Sequence, residues 1–327
     1  MEFRKIVKSG NTSYVVSIPR EWVKERGIKK GDLVFIQEDG DKNLIISPKE
    51  IKSLQEPKEV SINIDNMSSE TLIRSIVSYY VNGYSTVEFV GKTVKDQTDR
   101  IKEKVEQLIA FEIMEYTPTK ILIKDYLKIE DISFESVVRR MDFMIRAIMK
   151  EIDSAIIVLN SHKNSEDSLK NLITNAYQMD RNINRLNLLA AKIIRVAFDN
   201  TQVAQKLHLK PIELLVLHII TTTLENLADN LKNLAKEIDK DIPKAELKYV
   251  IKTYNAMMQN YEQVMKAYFT LDKKLSHEVS DFKHIIRESN EQFLNKKRDA
   301  STVRIIERIQ AVESFIGIIS RTIIDVI

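Results

Sequence analysis

The sequence predicts a multidomain α+β protein, with strands concentrated at the front of the chain and helices at the back. Six of the seven glycines and four of the six prolines lie in the first 118 residues. Because glycine and proline favour turns and are costly inside helices, we expect short strands in that part. Beyond residue 130, apolar residues recur at spacings of three and four, the period of a helix.

Residues 1–50 are the first predicted domain, with a ββαββ order. Strands are expected at 3–7 and 14–18 around a turn at Gly10, and at 33–37 and 44–46 around a turn at Gly40, with a helix at 20–26 between the two pairs. So short a unit has a marginal core and usually needs a partner. We therefore expect a homodimer.

Residues 57–126 are predicted to form a small α/β connector domain of βαβαββ order. Its strands are expected at 60–64, 86–90, 111–116 and 121–124, and its helices at 69–82 and 96–110. Neither strand–helix junction carries a glycine-rich phosphate loop, so the sequence gives little support for a nucleotide site.

The rest of the chain is predicted to be all-helical. Three apolar stripes of about 25 residues lie in 130–242, and three more lie in 243–327. Short connections favour two antiparallel three-helix bundles in tandem.

Composition excludes several chemistries. The 327 residues contain no cysteine, which rules out disulfides, thiolate zinc sites, iron–sulfur clusters and cysteine nucleophiles. We find no Ser/His/Asp set, P-loop or dinucleotide fingerprint and expect no enzyme. No apolar run approaches the length of a membrane span, and the start is unlike a signal peptide, so we expect a cytoplasmic protein.

Positive charge is concentrated at the front of the chain. The first 30 residues contain eight Lys or Arg and three Glu, a formal charge of +5, whereas the whole chain is +3. Two-fold pairing would double this charge on one face, which suits a polyanion such as double-stranded DNA. Charge alone is equally consistent with a solvated surface.

A motif favours the DNA interpretation. The run RKIVKSGNTSYVVSIPREWV at 4–23, followed by GIKKGD at 27–32, resembles the AbrB/SpoVT/MazE swapped-hairpin DNA-binding family. The resemblance implies that two chains interleave into one β-barrel. It implies DNA contacts by Arg4, Lys5, Lys8, Asn11, Arg20 and Lys24. Asp32 is expected to bond to local backbone as part of the fold.

Polar residues on two of the predicted helices suggest a second site. Glu225 and Asp229 lie four residues apart, and Asp180 and Asn184 have the same spacing on the preceding helix. Facing each other, they would form an oxygen-only site for a divalent metal or an iron cluster. The alternative is that these carboxylates are ordinary helix positions paired with Arg181, Arg185 or Lys232.

The helical part also resembles a known family. LENLADNLKNLA at 224–235, DRNINRL at 180–186 and IERI at 306–309 resemble the helix motifs of PhoU, although Asn184 stands where that family prefers Asp. PhoU proteins are tandem three-helix bundles that bind metal clusters and restrain phosphate transport and signalling. The resemblance implies the same fold and the metal ligands Asp180, Asn184, Glu225 and Asp229.

Together the three parts resemble archaeal PhoU-type phosphate uptake regulators. This implies a DNA-binding transcriptional regulator whose helical part binds metal or a phosphate-signalling partner. One alternative is a PhoU-like adaptor that acts on a phosphate transporter or kinase by contact, with the front only dimerising. Another is a metal-dependent phosphohydrolase using Asp180, Glu225 and Asp229. A MazE-like antitoxin is disfavoured by the long helical part.

Overall fold

A computed structural model of the chain describes residues 3–38, 43–48, 57–160, 166–238 and 242–326. The chain divides into two compact units, unit 1 at 1–56 and unit 2 at 57–327. The finer division of unit 2 into domains at 57–126, 130–242 and 243–327 stays a prediction.

Unit 1 has the predicted ββαββ order. Its elements are β1 (Val7–Ser9), β2 (Ser13–Val15), α1 (Arg20–Glu25), β3 (Phe35–Glu38) and β4 (Leu44–Ser47). β1 pairs with β2, and β3 with β4, in two separate antiparallel sheets. The first strand starts later than predicted, because within the described chain residues 3–6 have no strand to pair with. The turn expected at Gly40 lies outside the described residues.

Unit 2 begins with the βαβαββ arrangement. Its elements are β5 (Lys58–Asn63), α2 (Ser69–Val81), β6 (Tyr84–Val90), α3 (Val94–Glu106), β7 (Phe111–Thr117) and β8 (Lys120–Asp125). The four strands form one sheet in the order β5-β6-β8-β7, with β5 parallel to β6 and the other pairs antiparallel.

Local sequence signals account for these elements. The Ser68 hydroxyl caps α2 by accepting a hydrogen bond from Thr71 N–H at 3.2 Å, and Gly83, with φ +71°, ends the helix. Alternate strand residues such as Phe89 and Ile123 are buried with Ile76 of α2 in one apolar cluster. This cluster is separate from the larger core of the long helices.

The long helices follow a short 3-10 helix at Ile129–Asp131. They are α4 (Phe134–Asn160), α5 (Glu166–Asp199), α7 (Pro211–Ile238), α8 (Lys244–Thr270), α9 (Lys273–Leu294) and α10 (Ala300–Val326), with an unpredicted short helix, α6 (Thr201–Lys206), after α5. Helices α4, α5 and α7 contact one another and form one triplet, and α8, α9 and α10 form a second. Within the described residues, no helix combines the length and apolarity needed to cross a membrane.

The two triplets share one continuous core. Their buried apolar residues belong to a single cluster that runs from α4 to α10, and α7 lies against α10. Two buried tyrosines of α8 also bond to α4: Tyr254 donates to the Met149 carbonyl at 2.7 Å, and Tyr261 donates to Asp142 Oδ1 at 2.8 Å. The buried apolar surface of the two triplets is therefore continuous.

Candidate nucleic-acid interface and the interhelical carboxylate cluster

Four of the six residues predicted to touch DNA lie on the β1–β2 hairpin or in the segment that precedes β1. Lys8 lies opposite Tyr14 in the strand register, and the turn passes through Gly10 at φ +72° beside Asn11. Arg4 Nη1 donates to Ser17 Oγ at 3.2 Å, which joins the segment before β1 to the segment after β2. Arg4, Lys5, Lys8 and Asn11 are all exposed.

Helix α1 displays the other two. Pro19 is the residue before the helix. Its lack of a backbone N–H costs little there, because the first N–H groups of a helix have no carbonyl partner within the helix. Arg20 and Lys24 are four residues apart, hence on one helix face, and both are exposed. Asp32 Oδ2 accepts a hydrogen bond from the Lys29 backbone N–H at 2.7 Å, which confirms that Asp32 holds the local fold.

Four of these cations have no carboxylate beside them. Within the described residues, no carboxylate lies within ion-pair distance of Lys5, Lys8, Arg20 or Lys24. Since Coulomb attraction to an anion is strongest where no internal partner competes, the hairpin and α1 present an open positive surface.

Unit 1 also exposes many of its apolar side chains. None of its described residues is buried. Its large exposed apolar residues come from both hairpins and the segments beside them: Phe3, Ile6, Val7, Tyr14, Val15, Val16, Leu33, Phe35, Ile36, Leu44 and Ile45. Apolar exposure this dense is typical of a surface that another chain covers.

The predicted carboxylate cluster does form between α5 and α7, around a lysine. Lys232 of α7 lies between Asp180 of α5 and Asp229 of its own helix, with Nζ 3.0 Å from Asp180 Oδ2 and in direct hydrogen bond with Asp229 Oδ1. Asn233 Nδ2 donates to Asp229 Oδ2 at 3.3 Å. The ammonium of Lys232 thus occupies the position between two carboxylates.

Burial sets the electrostatics of this cluster. Asp180 is only 4% exposed, and its Oδ1 has no hydrogen-bond partner. Desolvation raises the pKa of Asp180, although Lys232 opposes the shift. Desolvation, followed by the charges of Asp229 and Asp180, also raises the pKa of Glu225.

Glu225 and Asn184 are half-buried beside the Lys232 cluster and line a cleft that α5 and α7 share with α3. The alternative pairing predicted from the sequence is found for Lys232, but neither Arg181 nor Arg185 pairs with a carboxylate in the described chain. The structure therefore brings Asp180 and Asp229 together through Lys232 and leaves Asn184 on a neighbouring surface.

These residues do not fit a metal ion. A lysine ammonium already neutralises Asp180 and Asp229, and a divalent cation at the same oxygens would repel it. Across the described ranges, no group of three or more His, Asp and Glu residues is arranged to hold a metal. The arrangement therefore favours the ion-pair interpretation over the metal site.

Sequence reasoning missed two buried charges. Lys192 of α5 is fully buried, and Glu313 of α10 is 3% exposed. Both stand inside apolar runs, at 188–194 and 312–319. A charged residue within an apolar run could have indicated these buried charges from the sequence. Such a residue must pair with another group or shift its pKa when it is buried.

Comparison with known proteins bears on unit 1. Residues 7–53 match the family model described as antidote-toxin recognition MazE, bacterial antitoxin. No curated protein matches the chain. The match agrees with the motif at 4–32, whereas the likeness of the helices to PhoU rests on their sequence motifs alone. The amino-terminal segment is therefore a MazE-like domain.

Proposed function

We propose that this chain is a homodimeric, DNA-binding regulator of transcription that controls phosphate uptake. The observation that carries the DNA role is the set of four exposed cations without ion pairs in a segment similar to MazE. These cations are Lys5, Lys8, Arg20 and Lys24. The helices of unit 2 would then receive a signal from a partner, such as a phosphate transporter or a signalling kinase.

Dimerisation follows from the apolar surface of unit 1. Removing apolar area from water stabilises by roughly 25 cal/mol per Å². In one copy, Val15, Leu33 and Ile36 gain little of this, because they stay about half or more exposed. A second copy that covers these side chains supplies the missing core. It also brings two sets of Lys8 and Arg20 onto one assembly.

A duplex titration against salt tests the DNA role. Each phosphate that a cation neutralises contributes a slope of about −0.9 to the dependence of log affinity on log salt. Arg20→Ala should weaken binding and reduce that slope by about one. Arg74→Ala on α2 is the matched control, because Arg74 is also exposed and within the described chain has no ion pair.

Two outcomes would overturn the DNA role. One is duplex affinity that does not change between low and moderate salt. The other is an equal effect of Arg20→Ala and Arg74→Ala. Either result, together with retained capture of a transporter or kinase, would favour the adaptor in which unit 1 only dimerises.

The phosphate part of the proposal is supported by the PhoU-like motifs at 180–186 and 224–235. Its test is the set of genomic fragments that the purified protein selects. We expect enrichment of promoters of phosphate-transport genes. Selection of fragments unrelated to phosphate would overturn this part and leave DNA binding intact.

We further propose that the chain is not an enzyme. A phosphohydrolase built on Asp180, Glu225 and Asp229 would need their oxygens for a metal, and Lys232 holds two of these carboxylates. We expect no hydrolysis of p-nitrophenyl phosphate with added Mn²⁺. Turnover that Asp229→Ala abolishes would contradict this.

A further inference from the structure

A cleft of about 300 Å³ opens between α3, α5 and α7 of unit 2. Its polar lining comes from the C-terminal end of α3, from successive turns of α5 and from one residue of α7. The residues that matter are Lys104, Gln107, Arg181, Asn184, Arg185 and Glu225. Three of these carry positive charge and one carries negative charge, so the lining has a net positive charge. Glu103 and Glu106 of α3 line the adjoining depression together with the same two arginines.

The two arginines are on the same face of α5, one turn apart. Within the described residues, neither Arg181 nor Arg185 has a carboxylate within ion-pair distance. Arg185 is half-buried. It also lines a second depression, beside Phe111 and Glu112 of β7, so it lies between α5 and the four-stranded sheet.

One polar atom of Arg185, a residue that lines this cleft, lacks a partner. Arg185 Nε is buried and makes no hydrogen bond. A buried donor without an acceptor is unfavourable, and more so when it belongs to a charged group. Native structures contain few such donors, so the Arg185 guanidinium is not satisfied by an acceptor that the protein supplies.

The remaining side chains of the cleft indicate what kind of acceptor would fit. Lys104 Nζ donates to Gln107 Oε1 at 3.2 Å, which places an ammonium and an amide on the α3 side. Asn184 adds a second amide from α5. Two guanidinium groups with an ammonium and amides match a group with several oxygens and two negative charges, and guanidinium forks bind phosphate in a bidentate manner.

We propose that this cleft binds the phosphate group of a small molecule, either free orthophosphate or a phosphomonoester. The guanidinium groups of Arg181 and Arg185 hold the oxygens, and Lys104 adds charge from α3. Glu225, on the α7 side, repels the ligand and limits its affinity. The proposal concerns unit 2 and does not rest on DNA binding by unit 1.

Calorimetric titration of the full chain at low ionic strength tests this proposal. The probes are orthophosphate, adenosine monophosphate and succinate, the last being a dianion without phosphorus. We expect one phosphate-bearing probe to bind once per chain and succinate to bind at least tenfold more weakly. Comparison of orthophosphate with the nucleotide distinguishes a free ion from an ester.

Variants connect the binding to these residues. Arg181→Gln and Arg185→Gln should each weaken binding at least tenfold, whereas Glu225→Gln should tighten it because a repelling charge is removed. Arg74→Gln is the control on α2. Arg181 is exposed, so its substitution leaves the fold intact even if Arg185→Gln does not.

The proposal fails if neither orthophosphate nor the nucleotide binds. It also fails if succinate binds as tightly, or if the Arg181 and Arg74 variants bind equally well. None of these results concerns duplex affinity, so failure here is distinguishable from failure of the DNA role.

Discussion

Lys192 Nζ lies 2.5 Å from Asp125 Oδ2, and the lysine side chain is fully buried. The same ammonium lies 4.3 Å from the centre of the Tyr80 ring. Asp125 ends β8, whereas Lys192 is in the middle of α5, so this pair attaches the long helices to the sheet. Desolvation lowers the pKa of Lys192, and Asp125 opposes that shift.

The first prediction is that breaking this ion pair destabilises the folded protein. Removing both charges should restore most of the lost stability. Asp125→Asn keeps the acceptor for the Leu127 N–H but leaves the ammonium buried without its counter-charge. We expect a loss of about 3–5 kcal/mol in the free energy of unfolding, measured by urea denaturation. The double variant Asp125→Asn, Lys192→Met should recover most of it. Equal stability of the single and double variants would contradict this explanation.

The second prediction concerns Lys232. Lys232→Met leaves the buried Asp180 carboxylate without its ammonium and exposes it to repulsion from Asp229. Because Asp229 is partly exposed, solvent screens part of the effect, and we expect a loss of about 1–3 kcal/mol at neutral pH. Protonation of Asp180 should reduce the loss in acid, since its pKa is raised.

Lys248→Met, an exposed lysine of α8, is the control for that measurement. If it costs as much as Lys232→Met, or if the loss is the same in acid and at neutral pH, the ion pair is not what stabilises this site.

The third prediction is a pH dependence due to Glu313. Its Oε2 accepts a hydrogen bond from Asn260 Nδ2 at 2.8 Å, and its Oε1 is buried without a partner. Burial raises the pKa of Glu313 from 4.5 to about 7, although Asn260 and the charge of Lys283 lower it. Between pH 4.5 and about pH 7, this carboxyl therefore tends to hold a proton in the native state, whereas in the unfolded chain it is ionised.

Stability should consequently fall as pH rises from 4.5 towards 7, by up to about 3 kcal/mol. Glu313→Gln keeps an acceptor for Asn260 and should remove this fall, so that the variant is the more stable protein at pH 8. Glu288→Gln, an exposed position on α9, should leave the fall unchanged. Parallel pH profiles of wild type and Glu313→Gln would refute the assignment.

The fourth prediction concerns association through unit 1. Val15 of β2 is 51% exposed, and an aspartate there would place a charge in the apolar surface that a second copy covers. We expect Val15→Asp to raise the dimer dissociation constant at least tenfold in sedimentation equilibrium. Ile285→Asp on α9, at 61% exposure, should have no effect. A monomeric wild type would refute the dimer.

Much of the fold could be predicted because its signals are local. The apolar stripes predicted the six long helices, and Gly83 and Ser68 mark the limits of α2. Helix α6 was missed because Asn200 starts it one residue after α5 ends, so the apolar period alone does not separate the two. In unit 1, residues 3–6 have the composition of a strand, but a strand also needs a partner.

The site was less predictable because it depends on contacts between helices. Spacing alone places Asp229 and Lys232 near each other on α7, and it places Asp180 somewhere on a facing helix. Which cation approaches Asp180 depends on the rotation of α5 about its axis, and that rotation is set by the whole core. The cleft at Arg185 could not be predicted for the same reason. One wall of this cleft comes from α3, about 80 residues earlier in the chain.

The continuous core also affects how stable fragments of the helical region can be. Helices α7 and α10 lie against each other, and their buried apolar residues belong to one cluster, so a chain cut between α7 and α8 would expose apolar surface on both helices. We therefore expect each half alone to be less stable than the same helices in the full chain. The two triplets therefore resemble each other in architecture but share one core. We expect both to unfold in a single thermal transition.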